Sequence, residues 1–172
     1  MGNKICISKK TIYVLLLSFV IIIIFSFKTV AWQTYIINNV SFKFPPDWIV
    51  ETNDIPTVER KFIQVIKDPQ EIYSLIFSIE ENFNKETGRP FTDIYEFIKM
   101  PRTIKTTSVD GQLAVQPLPR AGSEYVYLVA FFSKDSKNIL ILQLNIPEDG
   151  EKIKEGQKIF NKILSTFKFL GL

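Results

Sequence analysis

The sequence predicts an α+β fold in which an antiparallel β-sheet is covered by helices and preceded by one transmembrane helix. Strand-like runs fill most of the chain between Val40 and Ile146, while helical patterns are confined to one gap between them and to the end of the chain. A third observation is the run Thr11–Phe27, which contains no charged residue. The first two observations predict a folded domain, and the third predicts its attachment to a membrane.

The uncharged run, Thr11–Phe27, has no polar side, and a helix that is apolar all round needs apolar surroundings. Spanning a membrane takes roughly 17–25 such residues. Three lysines precede the run and Lys28 follows it, so the positive-inside rule places the N-terminus in the cytoplasm. We therefore expect a basic cytoplasmic segment at 1–10, a single-pass anchor in the cell membrane at 11–30 and an exported domain at 35–172.

Two alternatives to the retained anchor remain open. Thr29-Val30-Ala31 resembles the cleavage site of a signal peptide, and a cleaved leader also exports the domain. The second alternative is that the run forms a buried helix in the core of the folded protein and does not enter a membrane. If the anchor is retained, Trp32 and Tyr35 are expected at the far membrane interface.

Composition and charge exclude several classes of function. Residues 1–32 contain four lysines and no acid, so the chain's net charge of +3 leaves −1 for residues 33–172. A domain without clustered cations is not expected to bind nucleic acid. The chain has no histidine, and its one cysteine, Cys6, precedes the apolar run. We therefore predict neither disulfides in the domain nor a zinc or copper site built on histidine.

Alternation of apolar and polar residues predicts the strands. Residues 125–132 and 139–146 are nearly continuous apolar runs, which are typical of central strands covered on both faces. Asp110-Gly111 predicts a two-residue hairpin turn, because both central residues of that turn need a positive φ. The predicted strands are 40–44, 48–50, 62–66, 73–79, 103–109, 112–116, 125–132 and 139–146, with a short edge strand at 167–169.

Two segments have helical periodicity. In the first, Thr92 is expected to cap the helix and Pro101 to end it. The second is expected at about 147–166. Its apolar side is formed by Ile153, Phe160, Ile163, Leu164 and Phe167, with a lysine-rich outer side. Covering the sheet is the expected role of this helix, and lying on an anionic lipid surface is the alternative.

Three motifs in this order resemble the PsbP-like family, named for an extrinsic protein of photosystem II. Val40–Trp48 is similar to the family's opening pattern of aromatic-x-aromatic-Pro-x-x-Trp, Val109–Ala114 to its mid-domain hairpin, and Phe160–Phe169 to its closing helix and tail. The resemblance implies an α/β/α sandwich around an antiparallel sheet. Many bacterial members are exported or anchored in a membrane and have no assigned activity, so the resemblance also implies a module that binds rather than catalyses.

No residue of the chain is predicted to be catalytic, to bind a cofactor or to bind a metal. Glu80 and Glu81 are adjacent acids, but neighbours on a strand point to opposite faces and do not share a site. The acids Asp47, Glu51 and Asp54 lack the ligand spacing and the glycine of a calcium loop.

Other polar and aromatic features also have simpler structural explanations. Trp48 is expected to be a core anchor, with stacking on a ligand as the alternative. A nucleophilic serine needs a base beside it, and none of the serines has a neighbouring histidine. Isolated glycines do not form a phosphate-binding loop. Pro117–Arg120 is expected to be a surface connection, with a partner-binding loop as the alternative. The serines and glycines concerned are Ser123, Ser133, Ser165, Gly88 and Gly111.

We therefore expect a non-catalytic extracytoplasmic module that binds an envelope protein at the outer face of the membrane. The alternative is a carrier or sensor of a small molecule or lipid, with a cleft between the sheet and a helix. A hydrolase that works without histidine is the least favoured reading. No cofactor is expected.

Overall fold

The computed structural model describes residues 31–51, 60–99, 104–117 and 124–171, which form ten strands and two helices. The strands and helices in chain order are β1 (Gln33–Ile37), β2 (Val40–Phe44), β3 (Ile49–Glu51), β4 (Arg60–Lys67), β5 (Ser74–Glu81), α1 (Ile94–Ile98), β6 (Ile104–Val109), β7 (Gln112–Pro117), β8 (Glu124–Phe132), β9 (Asn138–Pro147), α2 (Gly150–Thr166) and β10 (Lys168–Phe169).

Seven strands form a large sheet in the order β3-β4-β5-β9-β8-β7-β6, and every pairing is antiparallel. The apolar strands β8 and β9 lie inside this sheet, which confirms their predicted central position. The turn between β6 and β7 contains Asp110 with φ 47° and Gly111 with φ 81°. The predicted two-residue hairpin is therefore confirmed.

A second, smaller sheet has the order β1-β2-β10 and is also antiparallel. One sheet was predicted from the sequence, and β1 was not predicted. The signal for β1 is the pair Asn38 and Asn39, with φ of 45° and 63°, because asparagine tolerates the left-handed conformation that a two-residue hairpin needs. The predicted edge strand at 167–169 is β10, which pairs with β2.

The short helix differs from its prediction at both ends. Its N-cap is Asp93 rather than Thr92, and the Asp93 side chain accepts a hydrogen bond from the Tyr95 N–H at 2.9 Å. The helix ends at Ile98, before the predicted stop at Pro101. Lys99 adopts a left-handed conformation with φ 50°, which cannot continue an α-helix.

The long helix starts later than predicted. Pro147 is the last residue of β9, and Asp149 caps the helix through hydrogen bonds from the N–H groups of Glu151 and Lys152. Its predicted end at Thr166 and its apolar side are confirmed. The helix packs against β2, β8 and β9, so its role in covering the sheet is also confirmed.

The large sheet is covered on both faces. On one face, α2 and the small sheet enclose the main core, which includes Phe42, Phe77, Leu142 and Phe160. On the other face, α1 and its flanking residues cover a smaller cluster around Ile94. The observed architecture is therefore α+β, with antiparallel sheets and two helices in its described part.

Within its described residues, the protein has no helix of the length and apolarity that crossing a membrane requires. The predicted anchor at 11–30 lies outside those residues. Residues Trp32–Leu172 form one compact unit. Tyr35, expected at a membrane interface, lies in β1, and its hydroxyl donates a hydrogen bond to Gln64 Oε1 at 2.9 Å. The Lys162 ammonium lies 4.0 Å from the centre of the Trp32 ring.

Candidate ligand-binding cleft

At one end of the main core, which we call the closed end, α2 packs closely on the large sheet. Gly156 permits this approach, because a Cβ at its position would overlap Ile146 Cδ1 and lie 3.0 Å from Ile146 Cγ1. Trp48 stacks on Tyr73 beside this contact, with ring centroids 6.1 Å apart. The Tyr73 hydroxyl donates to Glu155 Oε2 at 2.9 Å. Burial, and secondarily this hydrogen bond, raises the pKa of Tyr73 to about 12.

At the other end of the core, which we call the open end, the two sheets leave a cleft of about 650 Å³. The small sheet contributes the β1–β2 turn, the start of β2, β10 and the residues after it. The large sheet contributes β5, β9 and the turn between β8 and β9. Neither helix lines this cleft, so it differs in position from the expected cleft between the sheet and a helix.

The floor of the cleft is apolar. Val40, Ile79 and Leu140 line it and are 2%, 5% and 2% exposed, respectively. Phe169 adds a half-buried ring, and Leu170 lies at the mouth with 38% of its surface exposed. Because these residues also belong to or adjoin the main core, the cleft is continuous with the apolar interior.

The rim of the cleft is polar, and its charged groups come from the β8–β9 turn. The Lys134 ammonium lies 5.4 Å from the centre of the Phe169 ring. Asp135 Oδ1 accepts hydrogen bonds from Ser133 Oγ at 2.6 Å and from the Lys137 N–H at 3.1 Å. The Ser133 hydrogen bond, followed by that from Lys137, lowers the pKa of Asp135. Asp135 is therefore an ionised group that holds the turn.

Two hydrogen bonds donated by backbone N–H groups hold the segment over the cleft, one to a carbonyl oxygen and one to a carboxylate. The Leu170 N–H donates to the carbonyl oxygen of Asn39 at 2.7 Å, and the Phe169 N–H donates to Asp110 Oδ2 at 2.8 Å. These bonds join Phe169 and Leu170 to the β1–β2 turn and the β6–β7 turn, so they position one wall of the cleft.

The β8–β9 turn, which carries the charged groups of the rim, is held by a hydrogen bond from the side chain of Asn82, which is 6% exposed. Its Nδ2 donates to the carbonyl oxygens of Phe91 at 3.1 Å and Ser136 at 2.8 Å, and its Oδ1 accepts from the Phe91 N–H at 2.9 Å. The open end therefore depends on a buried polar residue.

The three motifs of the PsbP-like resemblance meet in the folded chain. The Phe42 ring from the opening motif lies parallel to the Phe167 ring from the closing motif, with centroids 6.0 Å apart and planes 6° apart. The hairpin motif joins them, since Asp110 accepts the hydrogen bond from Phe169. Residues distant in sequence thus form one continuous contact region beside the cleft.

The other sequence candidates do not form a shared site. Trp48 is 5% exposed, which confirms the core reading. Glu80 and Glu81 are consecutive residues of β5. Glu51 pairs with Lys67 at 3.0 Å, and Asp47 lies in an exposed turn. Within the described part of the chain, no group of three or more acidic, cysteine or histidine side chains is arranged to hold a metal ion.

The serines and loops are likewise distributed over the fold. Ser133 lies on the cleft rim, where its hydroxyl also accepts a hydrogen bond from the Asn138 N–H at 3.0 Å. Ser165 donates to the carbonyl oxygen of Lys162 on α2. Pro117 is the last residue of β7. Ser123, Asp54 and the loop residues 118–120 lie outside the described residues.

Sequence reasoning missed the cleft because its lining comes from segments far apart in the chain. Asn38, Ile79, Lys134 and Phe169 all line it, and no local pattern relates them. The available signals were the Asn38-Asn39 turn and the polar turn after β8. Each predicts a hairpin, but neither predicts that the two turns meet.

No protein-family profile matches this chain, and no curated protein sequence matches it. Among solved structures, it is similar to a protein from Bacteroides thetaiotaomicron VPI-5482, with a TM-score of 0.52 and 10% identity over 80% of this chain. The matched region is 48% of that protein, so this chain spans about half of its length. At this identity the likeness concerns the fold alone.

Two structures of Mog1 are also similar to it at 10% identity. One is a point mutant of Mog1, with a TM-score of 0.46 over 81% of this chain and 96% of that one. The other is the Ran-binding protein Mog1p of Saccharomyces cerevisiae, with a TM-score of 0.44 over 81% of this chain and 97% of that one.

Proposed function

We propose that this chain is a membrane-anchored, extracytoplasmic binding module that performs no chemistry itself and holds a ligand in the cleft at its open end. The observation that carries the proposal is the cleft, with its buried apolar floor and polar rim. Its volume falls within the roughly 300–1,000 Å³ of small-molecule sites, which combine apolar walls with a few polar groups.

The chemistry of the rim supports a binding role. Asp135 is held ionised by Ser133 and Lys137, so it is poorly suited to act as a general acid. The Ser133 hydroxyl donates a hydrogen bond to this carboxylate, and the chain has no histidine that could activate the hydroxyl as a nucleophile. These groups are suited to recognising a polar part of a ligand.

The anchor, expected at 11–30, belongs to the proposal because of the uncharged run Thr11–Phe27 and the excess of lysine before it. An anchored domain is confined to a thin layer, and its effective concentration near membrane-bound ligands rises accordingly.

The orientation has a direct test, because Cys6 is the chain's one cysteine and lies in the segment expected inside. In the Ser165→Cys variant, a maleimide that cannot cross membranes is expected to label the new thiol on exposed α2. It should leave Cys6 unlabelled while the cytoplasmic membrane is intact. Labelling of Cys6 alone would reverse the orientation, and labelling of neither thiol before lysis would contradict the export of the domain.

We also propose that the domain is PsbP-like. The support is that all three resembling motifs contribute to the same contact region, through the Phe42–Phe167 rings and the Asp110–Phe169 hydrogen bond. Contacts of this kind give a physical reason for the motifs to occur together.

Binding of an envelope protein is the second candidate function, and one observation favours it. β1 is an edge strand of the small sheet, and its Ile36 side chain is 65% exposed. An edge strand with an exposed apolar residue is suited to pairing with an extended segment of another protein. In this case the substitution Ile36→Lys would abolish partner binding and leave the cleft unaffected.

The cleft proposal is tested by native mass spectrometry of the full chain, extracted from its membranes in a mild detergent. We expect a bound small molecule on the unmodified chain. Leu170→Glu, at the mouth of the cleft, should remove it. Leu113→Glu is the matched control, since Leu113 is 52% exposed on β7 and does not line the cleft. Absence of a bound molecule, or equal retention by both variants, would contradict the proposal.

A further inference from the structure

We infer that the cleft takes a single-chain amphiphile with an anionic head, the chain lying on the floor and the head meeting Lys134 at the rim. This inference rests on the proposed function, because it names the occupant of the same cleft. It follows from the floor, the cation and the remaining rim groups, taken in turn.

The floor favours an apolar chain. Val40, Ile79 and Leu140 present aliphatic side chains, and Phe169 presents an aromatic ring. A ligand chain that covers them removes further apolar surface from water, which is worth roughly 25 cal/mol per Å². The cleft is open at its mouth, where Leu170 is 38% exposed, so a chain can enter without unfolding the domain.

The cation favours an anionic head. Lys134 lies on the rim, and its ammonium contacts the Phe169 ring rather than a carboxylate. Among the described residues it has no ion-pair partner, because the neighbouring Asp135 is directed to Ser133 and the Lys137 N–H. An anionic head beside Lys134 gains a charge-assisted interaction at the edge of an apolar surface, where water screens it less than in bulk.

The remaining rim groups suit the same head. Asn38 and Asn39 also line the rim, and asparagine amides can donate hydrogen bonds to carboxylate or phosphate oxygens. Their N–H groups lie on the small-sheet side and Lys134 lies on the large-sheet side. A head at the mouth is therefore approached by donors from both walls of the cleft.

The test uses the full chain in phosphatidylcholine nanodiscs and a dodecanoate that carries a photoreactive diazirine on its chain. After irradiation, peptide mass spectrometry locates the label. We expect labelled residues within 133–140 and 168–171, and none within 150–160 at the closed end. The absence of label at the cleft would overturn the inference, whereas native mass spectrometry of the extracted chain decides the proposed function independently.

Competition between the photoreactive dodecanoate and other amphiphiles identifies the head group that the cleft prefers. Dodecanoate and dodecyl phosphate carry the same chain on two anionic heads, so they separate a carboxylate source from a phosphate source. We expect at least one of them to displace the label about tenfold better than dodecyltrimethylammonium, and acetate to have no effect. Equal competition by the cationic amphiphile would overturn the choice of an anion, and competition by acetate would overturn the need for a chain.

The matched variants are Lys134→Met and Lys137→Met, which remove one lysine each from the same turn. Lys137 is exposed and its side chain does not line the cleft. We expect Lys134→Met to weaken the anionic competitor about fivefold, the ratio that corresponds to an exposed ion pair, and Lys137→Met to leave it unchanged. Equal effects of the two variants would show general attraction to a basic turn and overturn the assigned contact.

Discussion

The closed and open ends of the main core differ although the same strand runs through both. Ile146 and Leu140 lie on one face of β9, about 20 Å apart at the usual rise per residue. Ile146 is covered by α2 at Gly156, where no Cβ fits. Leu140 instead borders a cleft of about 650 Å³.

The cover over the sheet, rather than the sheet itself, therefore decides where the cleft forms. α2 ends at Thr166, and the chain continues as a strand of two residues, β10. A helix fills the space over the sheet, whereas a two-residue strand does not. The cleft therefore lies where the helical cover stops.

The largest expected effect comes from shortening leucines on the same face of β9. Leu144→Ala lies under the helical cover and creates an enclosed cavity, so we expect it to lower the free energy of unfolding by about 3–5 kcal/mol. Leu140→Ala widens an open cleft, and we expect about 2 kcal/mol. Urea unfolding of the full chain in mild detergent, followed by tryptophan fluorescence, measures both. Equal losses of unfolding free energy in the two variants would contradict the difference between the closed and open ends.

The next effect concerns the close approach of the helix at the closed end. Gly156→Val places a branched side chain against Ile146 and Tyr73, and we expect a loss of about 2–3 kcal/mol of unfolding free energy from overpacking. Gly150→Val is the control, because no atom lies within 4 Å of a Cβ there. The same unfolding assay applies. A loss no greater than that of the control would mean that the helix shifts freely on the sheet.

At the open end, the corresponding prediction concerns the hydrogen bonds of the Asn82 side chain. Asn82→Ala leaves the part-buried backbone groups of Phe91 and Ser136 without their hydrogen-bond partner, and we expect a loss of about 2 kcal/mol of unfolding free energy. It should also increase hydrogen exchange in the turn 133–138, while exchange in α2 remains unchanged. Asn161→Ala, on the exposed side of α2, is the control. Faster exchange in α2 as well would indicate that the ends are not independent.

The last effect is a dependence of stability on pH at the closed end. The pKa of Tyr73 is raised from 10.0 to about 12, mainly by burial. Below pH 10 the hydroxyl is protonated in both states and its contribution is fully present. As the pH rises towards 12 the unfolded state ionises first, so stability falls.

We therefore expect the unfolding free energy of the unmodified chain to fall by about 2 kcal/mol relative to Tyr73→Phe between pH 9.5 and 12. A constant difference for Tyr73→Phe would show that the folded state ionises as readily as the unfolded state.

The elements of the fold follow from local patterns more directly than their assembly does. Alternation at Leu75 and Phe77, the Asp110-Gly111 turn and the apolar side of α2 each reflect a short-range rule, and each prediction is confirmed. Caps were less predictable, because Thr92 and Asp93 are both good capping residues and only the backbone path selects one.

The small sheet and the cleft depend on long-range contacts that no single segment encodes. β1 is short and partly exposed, so its burial pattern is weak, and it is held by pairing with β2 and by the Tyr35–Gln64 hydrogen bond. The cleft needs the turns at Asn38 and Lys134 to face each other across the end of β10. Such a juxtaposition depends on how the two sheets pack.

The most direct test of a ligand at the open end is photo-crosslinking in living cells. A photoreactive phenylalanine analogue replaces Leu170 at the mouth of the cleft or, in the matched chain, Leu113 on β7. Both side chains are exposed, at 38% and 52%. We expect an adduct with the mass of a small molecule on the Leu170 variant and none on the Leu113 variant. No adduct at Leu170, or the same adducts at both positions, would contradict it.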